Sequence, residues 1–376
     1  MKIHIISAAL PPLLDGIGDY TAHLAAELAR SATVTVLAGA PTPDPIPGVH
    51  VETAFAADDP RSVWNLVGRV AEDKPDWVLL QYNPFSYGRW GLNLHLPRAM
   101  QAIKQHCPSA SVAVMVHEKF AALESFKLGV MSTWQRYQFW QLGRMADILF
   151  FSIDPWTQTY RRQFPGKPVI HLAVGSNIPE VQISRQEART RLGISDRTLV
   201  LGIFGTKHPS RLIGWNLNAI QAVCASRQDV ITVYLGPDDD VIRKRFGSLP
   251  LIADGPLPAE EVSRRFQAMD IHLTPFTDGV STRRGSLMCG LQHGVPTVGT
   301  RGFNTDGLLL EQDGKSLLLA SAKNPDAFNK YVLHLANEPI EREKLGKAAR
   351  AFYQQELSWE VVSGRLLQAF QSKGCV

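Results

Sequence analysis

The chain has 376 residues, 45% of them hydrophobic and 20% charged, with a formal net charge of +4. That length holds two domains of ordinary size, and that composition belongs to a soluble globular protein rather than a disordered or fibrous one. The mildly basic balance is too weak to make nucleic acid the main partner, but it suits an anionic ligand or loose contact with an acidic surface.

The opening "MKIHIISAALPPLLDG" is read as a buried first strand, not a signal peptide. Its apolar run is short, is interrupted by His4, and soon meets Pro11 and Asp15. Short β-branched runs then recur at "TVTVLAG", "DWVLLQY", "SVAVMVH" and "DILFFS". Between them lie helix-like stretches such as "DYTAHLAAELAR" and "PRSVWNLVGRVAEDK". This alternation predicts a parallel sheet covered on both faces. A looser stretch follows from about His171 to Arg197. The pattern restarts with "LVLGIFG", "VITVYLG", "LIAD", "DIHLTPF" and "VPTVGT", and ends in helices from about Asn324. The prediction is two doubly wound α/β domains joined near Gly175, with ligand bound at strand carboxyl ends in the cleft between them. No apolar run reaches the roughly 20 residues of a membrane span. The four cysteines, Cys107, Cys224, Cys289 and Cys375, form no CxxC pair. Their scatter speaks against disulfides or a zinc site and for a reduced, cytoplasmic compartment.

Several segments carry chemistry. In "LPPLLDGIGDYTAHLAAEL", Gly16 and Gly18 precede a helix, a geometry that can offer backbone N–H groups to an anion. A dinucleotide fingerprint fails there, because Thr21 stands in place of its third glycine. His117 closes the strand "SVAVMVH", where a neutral imidazole can donate to a ligand hydroxyl; a structural histidine is the equal alternative. The loop "GTKHPSRLIG" carries Lys207, His208 and Arg211 at a helix start, the makings of a phosphate clamp. Asp238 and Asp240 have the D-x-D spacing of some metal-dependent sugar-transfer enzymes, but acidic residues at a helix start explain them without metal. "SFKLGVMSTWQRYQFWQLGRM" reads either as a membrane-surface helix or, preferably, as an amphipathic helix packed on the sheet. In "DGVSTRRGSLMCGLQHGVP", Arg283 and Arg284 are placed in a first helical turn, where cations oppose the helix dipole unless an anion sits between them. Gly279 and Gly285 beside them are expected to leave room for close backbone approach.

The glycine loop "DGIGDYTAHLA", strand-end His117, the strand–loop–helix around Arg211 and "DGVSTRRGSLMCGLQHGVPTVGT" together resemble the GT-B-fold glycosyltransferases of family 4. The resemblance covers nearly the whole chain. It implies domains at residues 1–175 (acceptor side) and 176–355 (nucleotide-sugar side), with residues 356–376 crossing back to the first. It also implies transfer from a nucleotide-diphosphate sugar to an acceptor hydroxyl with retention of configuration, without metal or other cofactor. Catalytic roles fall on His117, Asp278 and Arg211. Donor binding falls on Gly16, Gly18, Lys207, Arg211, Gly255, Gly279, Val280, Ser281, Thr282, Arg283, Arg284 and Ser286. The acceptor would be a saccharide, a lipid-linked molecule or a small molecule, at a cytoplasmic site or one peripheral to the inner face of a membrane.

The chain departs from the family pattern at two places. The companion arginine of the diphosphate clamp falls on Thr206, and the second glutamate of the paired-glutamate motif falls on Ser286 counting forward or Cys289 counting back. The first departure suggests that Arg283 and Arg284 take over the missing charge. The second keeps open a non-catalytic nucleotide-sugar-binding subunit, and a GT-B-like nucleotide-sugar epimerase or phosphorylase could use a similar cleft.

Overall fold

A computed structural model describes residues 1–39, 42–121, 126–206 and 208–373. The chain divides into two compact units. The first contains Met1–Ser152, Trp156–Ala173 and the chain from Val362 onward; the second contains Ile153–Pro155 and Val174–Val361.

The first unit is a seven-stranded sheet built from β1 (Lys2–Ser7), β2 (Thr33–Ala38), β3 (His50–Thr53), β4 (Trp77–Tyr82), β5 (Ser111–Val116), β6 (Ile148–Phe151) and β7 (Val169–His171). Its order is β3-β2-β1-β4-β5-β6-β7, every pair parallel. All six residues of β4 are buried, as expected for a central strand with helices on both faces. The final helix, Trp359–Lys373, lays the Phe370 ring on Trp77 at 4.1 Å between centroids.

The second unit holds β8 (Leu199–Phe204), β9 (Val230–Leu235), β10 (Leu251–Ala253), β11 (Ile271–Thr274), β12 (Thr297–Arg301) and β13 (Leu318–Ser321). They run parallel in the order β10-β9-β8-β11-β12-β13. Each sheet therefore has a point where the winding reverses: between β1 and β4 in the first unit, and between β8 and β11 in the second. Loops leaving the carboxyl ends of strands diverge there and leave a crevice for ligand.

The sequence pattern misses β3, β7 and β13, and all three are edge strands of three or four residues. No residue of β3 is buried. With two buried residues in β13, one in β7 and none in β3, these strands are too short for a period-two pattern to mark them.

Candidate functional site

The second unit gathers most of the chemistry at its reversal point. The loop after β8 and the loop after β11 zip together: Leu212 N donates to Pro275 O, Thr277 N donates to Ser210 O, and Arg211 bridges Phe276 in antiparallel fashion. This pairing brings residues 65 positions apart into one cluster. The Phe276 ring carries two guanidinium groups, Arg211 with Cζ 4.9 Å from its centroid and Arg284 at 4.2 Å. Arg211 Nη2 donates to Phe204 O at 2.8 Å, while its Nε and Nη1 are buried with no hydrogen-bond partner among the described residues. Burial pushes the Arg211 pKa down to about 10. A buried guanidinium with two nitrogens unmet is costly without an anion to receive them.

Arg284 is held from three sides. Its Nη2 donates to both oxygens of Asp278, at 2.9 and 3.0 Å, and to Ser210 Oγ at 3.1 Å. Arg283 reaches Asp278 at 3.5 Å, and Asn304 Nδ2 donates to the same carboxylate at 3.0 Å. Asp278 thus holds the two arginines in place. One correction concerns the helix itself, which starts only at Gly285 and runs to Gln292. Arg283 and Arg284 precede it, and Arg284 is its N-cap with no side-chain cap bond. The cations therefore flank an uncapped helix N-terminus, and their charge adds to the dipole at the point where an anion would sit.

The remaining expected donor-side residues fall into distinct groups. A Cβ on Gly285 would meet nothing within 4 Å, so room exists there. Gly279 differs, because at φ +85 its Cβ would lie 2.3 Å from Gly302 N, and the neighbouring loop already fills the space. Val280 N donates to Thr300 O, and Thr282 N donates to an oxygen of the buried Asp306 carboxylate, so these amides are committed to the protein. Ser281 is fully buried and its hydroxyl has no hydrogen-bond partner among the described residues. Ser286 is partly buried, with its Cβ 3.8 Å from where a Gly205 Cβ would be. Cys289 is fully buried in the core, where burial raises its thiol pKa, so of the two positions counted for the missing glutamate only Ser286 borders the cluster. Gly255 sits apart, beside Asp239 at the start of the helix Asp239–Phe246. Lys207 lies outside the described residues. Asp238 makes no side-chain cap bond, and among the described residues no group of three or more His, Cys, Asp or Glu is placed to hold a metal.

His117, Gly16 and Gly18 belong to the first unit. His117 follows β5, with Nε2 2.7 Å from Gln81 Oε1 and its ring edge-on to Tyr20 at 4.8 Å. Burial pushes its pKa down to about 3, so it is neutral at physiological pH and donates from Nε2 to Gln81. The glycine loop requires another correction. Asp15 caps the helix Gly16–Leu28 and accepts from Ile17 N and Gly18 N at 2.9 and 2.7 Å, so these amides already hold an anion. A Cβ on Gly18 would lie 3.1 Å from the Ala9 backbone, so this glycine serves packing, while Gly16 is open. Burial, reinforced by Asp15, raises Asp19 to about 6. A loop with two carboxylates in it repels a diphosphate and suits hydroxyl groups instead.

Neutral buried histidines give a pH prediction. The pKa values of His117 and fully buried His272 are both depressed to about 3 by burial. Their contribution to stability is complete above the unfolded value of about 6.5 and is lost as pH falls toward 3, because the unfolded chain takes up protons first. The slope approaches about 1.4 kcal/mol per pH unit for each; Asp19, raised, works in the opposite direction. Urea midpoints should fall steadily from pH 7 to pH 5, and His272→Gln should flatten that fall; a pH-independent midpoint would contradict the burial argument.

Ser210, Phe276, Asn304, Asp306 and Gln81 are the participants that sequence reasoning missed. Each acts by holding another residue, and no local spacing signals such a role.

No family model matches the chain. Two parallel-sheet Rossmann-like units of seven and six strands constitute the GT-B fold of glycosyltransferases. Sucrose-phosphate synthase from Thermosynechococcus elongatus superposes with a TM-score of 0.72 at 14% identity, covering 100% of the chain and 99% of that protein. HepE from Anabaena, solved with UDP and glucose, gives a TM-score of 0.71 at 14% identity, covering 99% of the chain and all of HepE. Among curated proteins, the GDP-mannose-dependent monoacylated alpha-(1-6)-phosphatidylinositol monomannoside mannosyltransferase of Corynebacterium glutamicum is 23% identical over 251 residues. That alignment spans 62% of the chain and 64% of the mannosyltransferase, so it leaves about a third of the relative unmatched.

Proposed function

We propose that the chain is a glycosyltransferase that moves a hexosyl group from a nucleotide-diphosphate sugar to an acceptor hydroxyl, with retention of configuration and without a metal. The observation that carries this reading is the buried, partly unpartnered guanidinium of Arg211 beside an uncapped helix N-terminus flanked by Arg283 and Arg284. Cleavage of the sugar–phosphate bond places negative charge on the departing diphosphate, and fixed cations in a dry site stabilise that charge more than they stabilise the ground state. Such a set of cations can do without a metal. Neutral His117, its one N–H given to Gln81, leaves Nδ1 as an acceptor of the kind that can orient a sugar hydroxyl. The carboxylate-bearing loop at Asp15–Asp19 fits the acceptor side, and Ser286 is the side chain available to the ribose. Nucleotide sugars as donors accord with the names of two similar proteins, HepE with UDP and glucose and the GDP-mannose-dependent mannosyltransferase. The scattered free cysteines accord with a reduced cytoplasmic setting.

The test is a thermal-shift screen against UDP-, GDP-, ADP- and TDP-sugars, followed by product analysis with and without acceptors. A true donor at 100 times its Kd adds about 2.7 kcal/mol of stability. Isomerised donor without acceptor would identify an epimerase, and binding without turnover a non-catalytic subunit. Replacing Arg283 and Arg284 together by alanine should raise the donor KM at least tenfold, about 1.4 kcal/mol. Unchanged donor kinetics in that variant would remove both from the clamp.

A further inference from the structure

The helix Phe126–Met145 packs by one face and leaves the other in solvent. The packed face is Met131, Gln135, Gln138 and Leu142. The opposite face repeats at the same helical spacing with Phe126, Val130, Tyr137 and Trp140, which are 90%, 43%, 53% and 45% exposed. A helix surface facing only water does not carry such a row of large apolar side chains. The row continues beyond the helix. Trp90 is 52% exposed, and its carbonyl accepts from Trp134 Nε1 and Gln135 Nε2, which anchors the 89–91 turn against the helix. Leu94, 40% exposed, shares with Tyr137 a groove of about 660 Å³ between the helices His95–His106 and Phe126–Met145.

Cations dominate the charge on this face. Residues 77–117 contain no Asp or Glu, and neither do residues 126–146. Lys104 is spent on Asp147, but Arg98 and Arg144 line the groove. Arg89 and Lys127 lie over the Trp90 ring, and Arg144 over the Trp140 ring, each cation beside an exposed aromatic. Aromatic and aliphatic side chains that can enter a headgroup layer, ringed by cations of which, among the described groove residues, only Lys104 is paired with a carboxylate, match the chemistry of an anionic bilayer surface. Among the described residues no helix is long and apolar enough to cross a membrane.

We infer that this face of the first unit docks on a lipid surface carrying anionic headgroups. Docking of this kind is independent of the transfer reading and goes beyond it. Its test is flotation of the full chain with phosphatidylcholine vesicles, with and without phosphatidylglycerol. The chain should float with the anionic vesicles and be released by high salt. Phe126→Ser with Trp140→Ser should abolish flotation. Arg98→Gln with Arg144→Gln should weaken it by about fivefold for each cation removed. All four residues are exposed, so the circular dichroism spectrum and the thermal shift by a nucleotide sugar should be unchanged, which separates loss of docking from loss of donor binding. Absence of flotation, equal flotation with neutral vesicles, or flotation untouched by these substitutions overturns the inference. A Trp140-dependent dimer that ignores vesicles overturns it as well, by assigning the face to a second copy of the chain.

Discussion

Replacing Arg211 by alanine should lower kcat/KM for the donor by about 10² to 10³, the size of effect seen when one fixed donor to a developing anion is removed. Nη2 of Arg211 is satisfied by Phe204 O and its guanidinium lies over Phe276, which together fix its position. Nε and Nη1 have no hydrogen-bond partner among the described residues. Burial lowers its pKa, yet at about 10 it stays charged at neutral pH. In the proposed function, a group in that state receives the incoming anion. Arg211→Lys keeps the charge but not the planar fork, and should recover only part of the loss. Stability provides a separate readout. Removing a buried, partly unpaired cation should leave the ligand-free protein as stable or more so, whereas a structural arginine would take stability with it. Donor kinetics within about threefold of the parent, together with a lower melting temperature, would make Arg211 structural.

The converse case is Asp270, where alanine should cost about 3–5 kcal/mol of stability. Asp270 precedes β11 and accepts from Arg189 Nη2 at 2.6 Å, from Val200 N at 2.7 Å and from Arg185. Arg189 is fully buried, and its other donors go to the carbonyls of Ala268, Ser195, Asp196 and Thr198. Without the carboxylate, a buried guanidinium would lose its only charged partner at hydrogen-bond distance among the described residues. Equilibrium denaturation with the two-state test applied to the second unit measures the cost. A change under about 1 kcal/mol would mean that water or relaxation compensates the charge. Arg211 and Asp270 thus make contrasting tests: the buried charge of Asp270 is paired by the protein, and that of Arg211, in the proposed function, is paired by the ligand.

Arg283 and Arg284 stood out in the sequence because two cations beside an apolar, small-residue helix need an explanation. Their position was legible, while their first partner was not. Asp278 reaches Arg284 only because the loop after β11 turns back on itself, and Asn304 and Ser210 arrive from other loops. Gly279 shows the same limit. Its glycine was legible as a special backbone position, but the space it spares is filled by Gly302 rather than by a ligand. At the glycine loop, Asp15 was visible in the sequence as a residue before a helix, and capping consumed the amides that an anion would have used.

The helix Phe126–Met145 was ambiguous for a physical reason. Apolar residues occupy both its faces, so periodicity cannot say which face is buried.

What the sequence by itself determined is the architecture: repeated β-branched runs separated by amphipathic segments permit little but two parallel sheets wound on both faces. It also placed the chemistry at strand-end loops, because chain direction and right-handed crossovers put those loops at one edge of each sheet. Only the tertiary structure decided which cation stays unpaired, which carboxylate holds an arginine, that Cys289 belongs to the core, and which face of a two-faced helix meets solvent. Those outcomes depend on side chains brought within about 3 Å across distant loops, a range at which hydrogen bonding and burial act and that no spacing along the chain encodes.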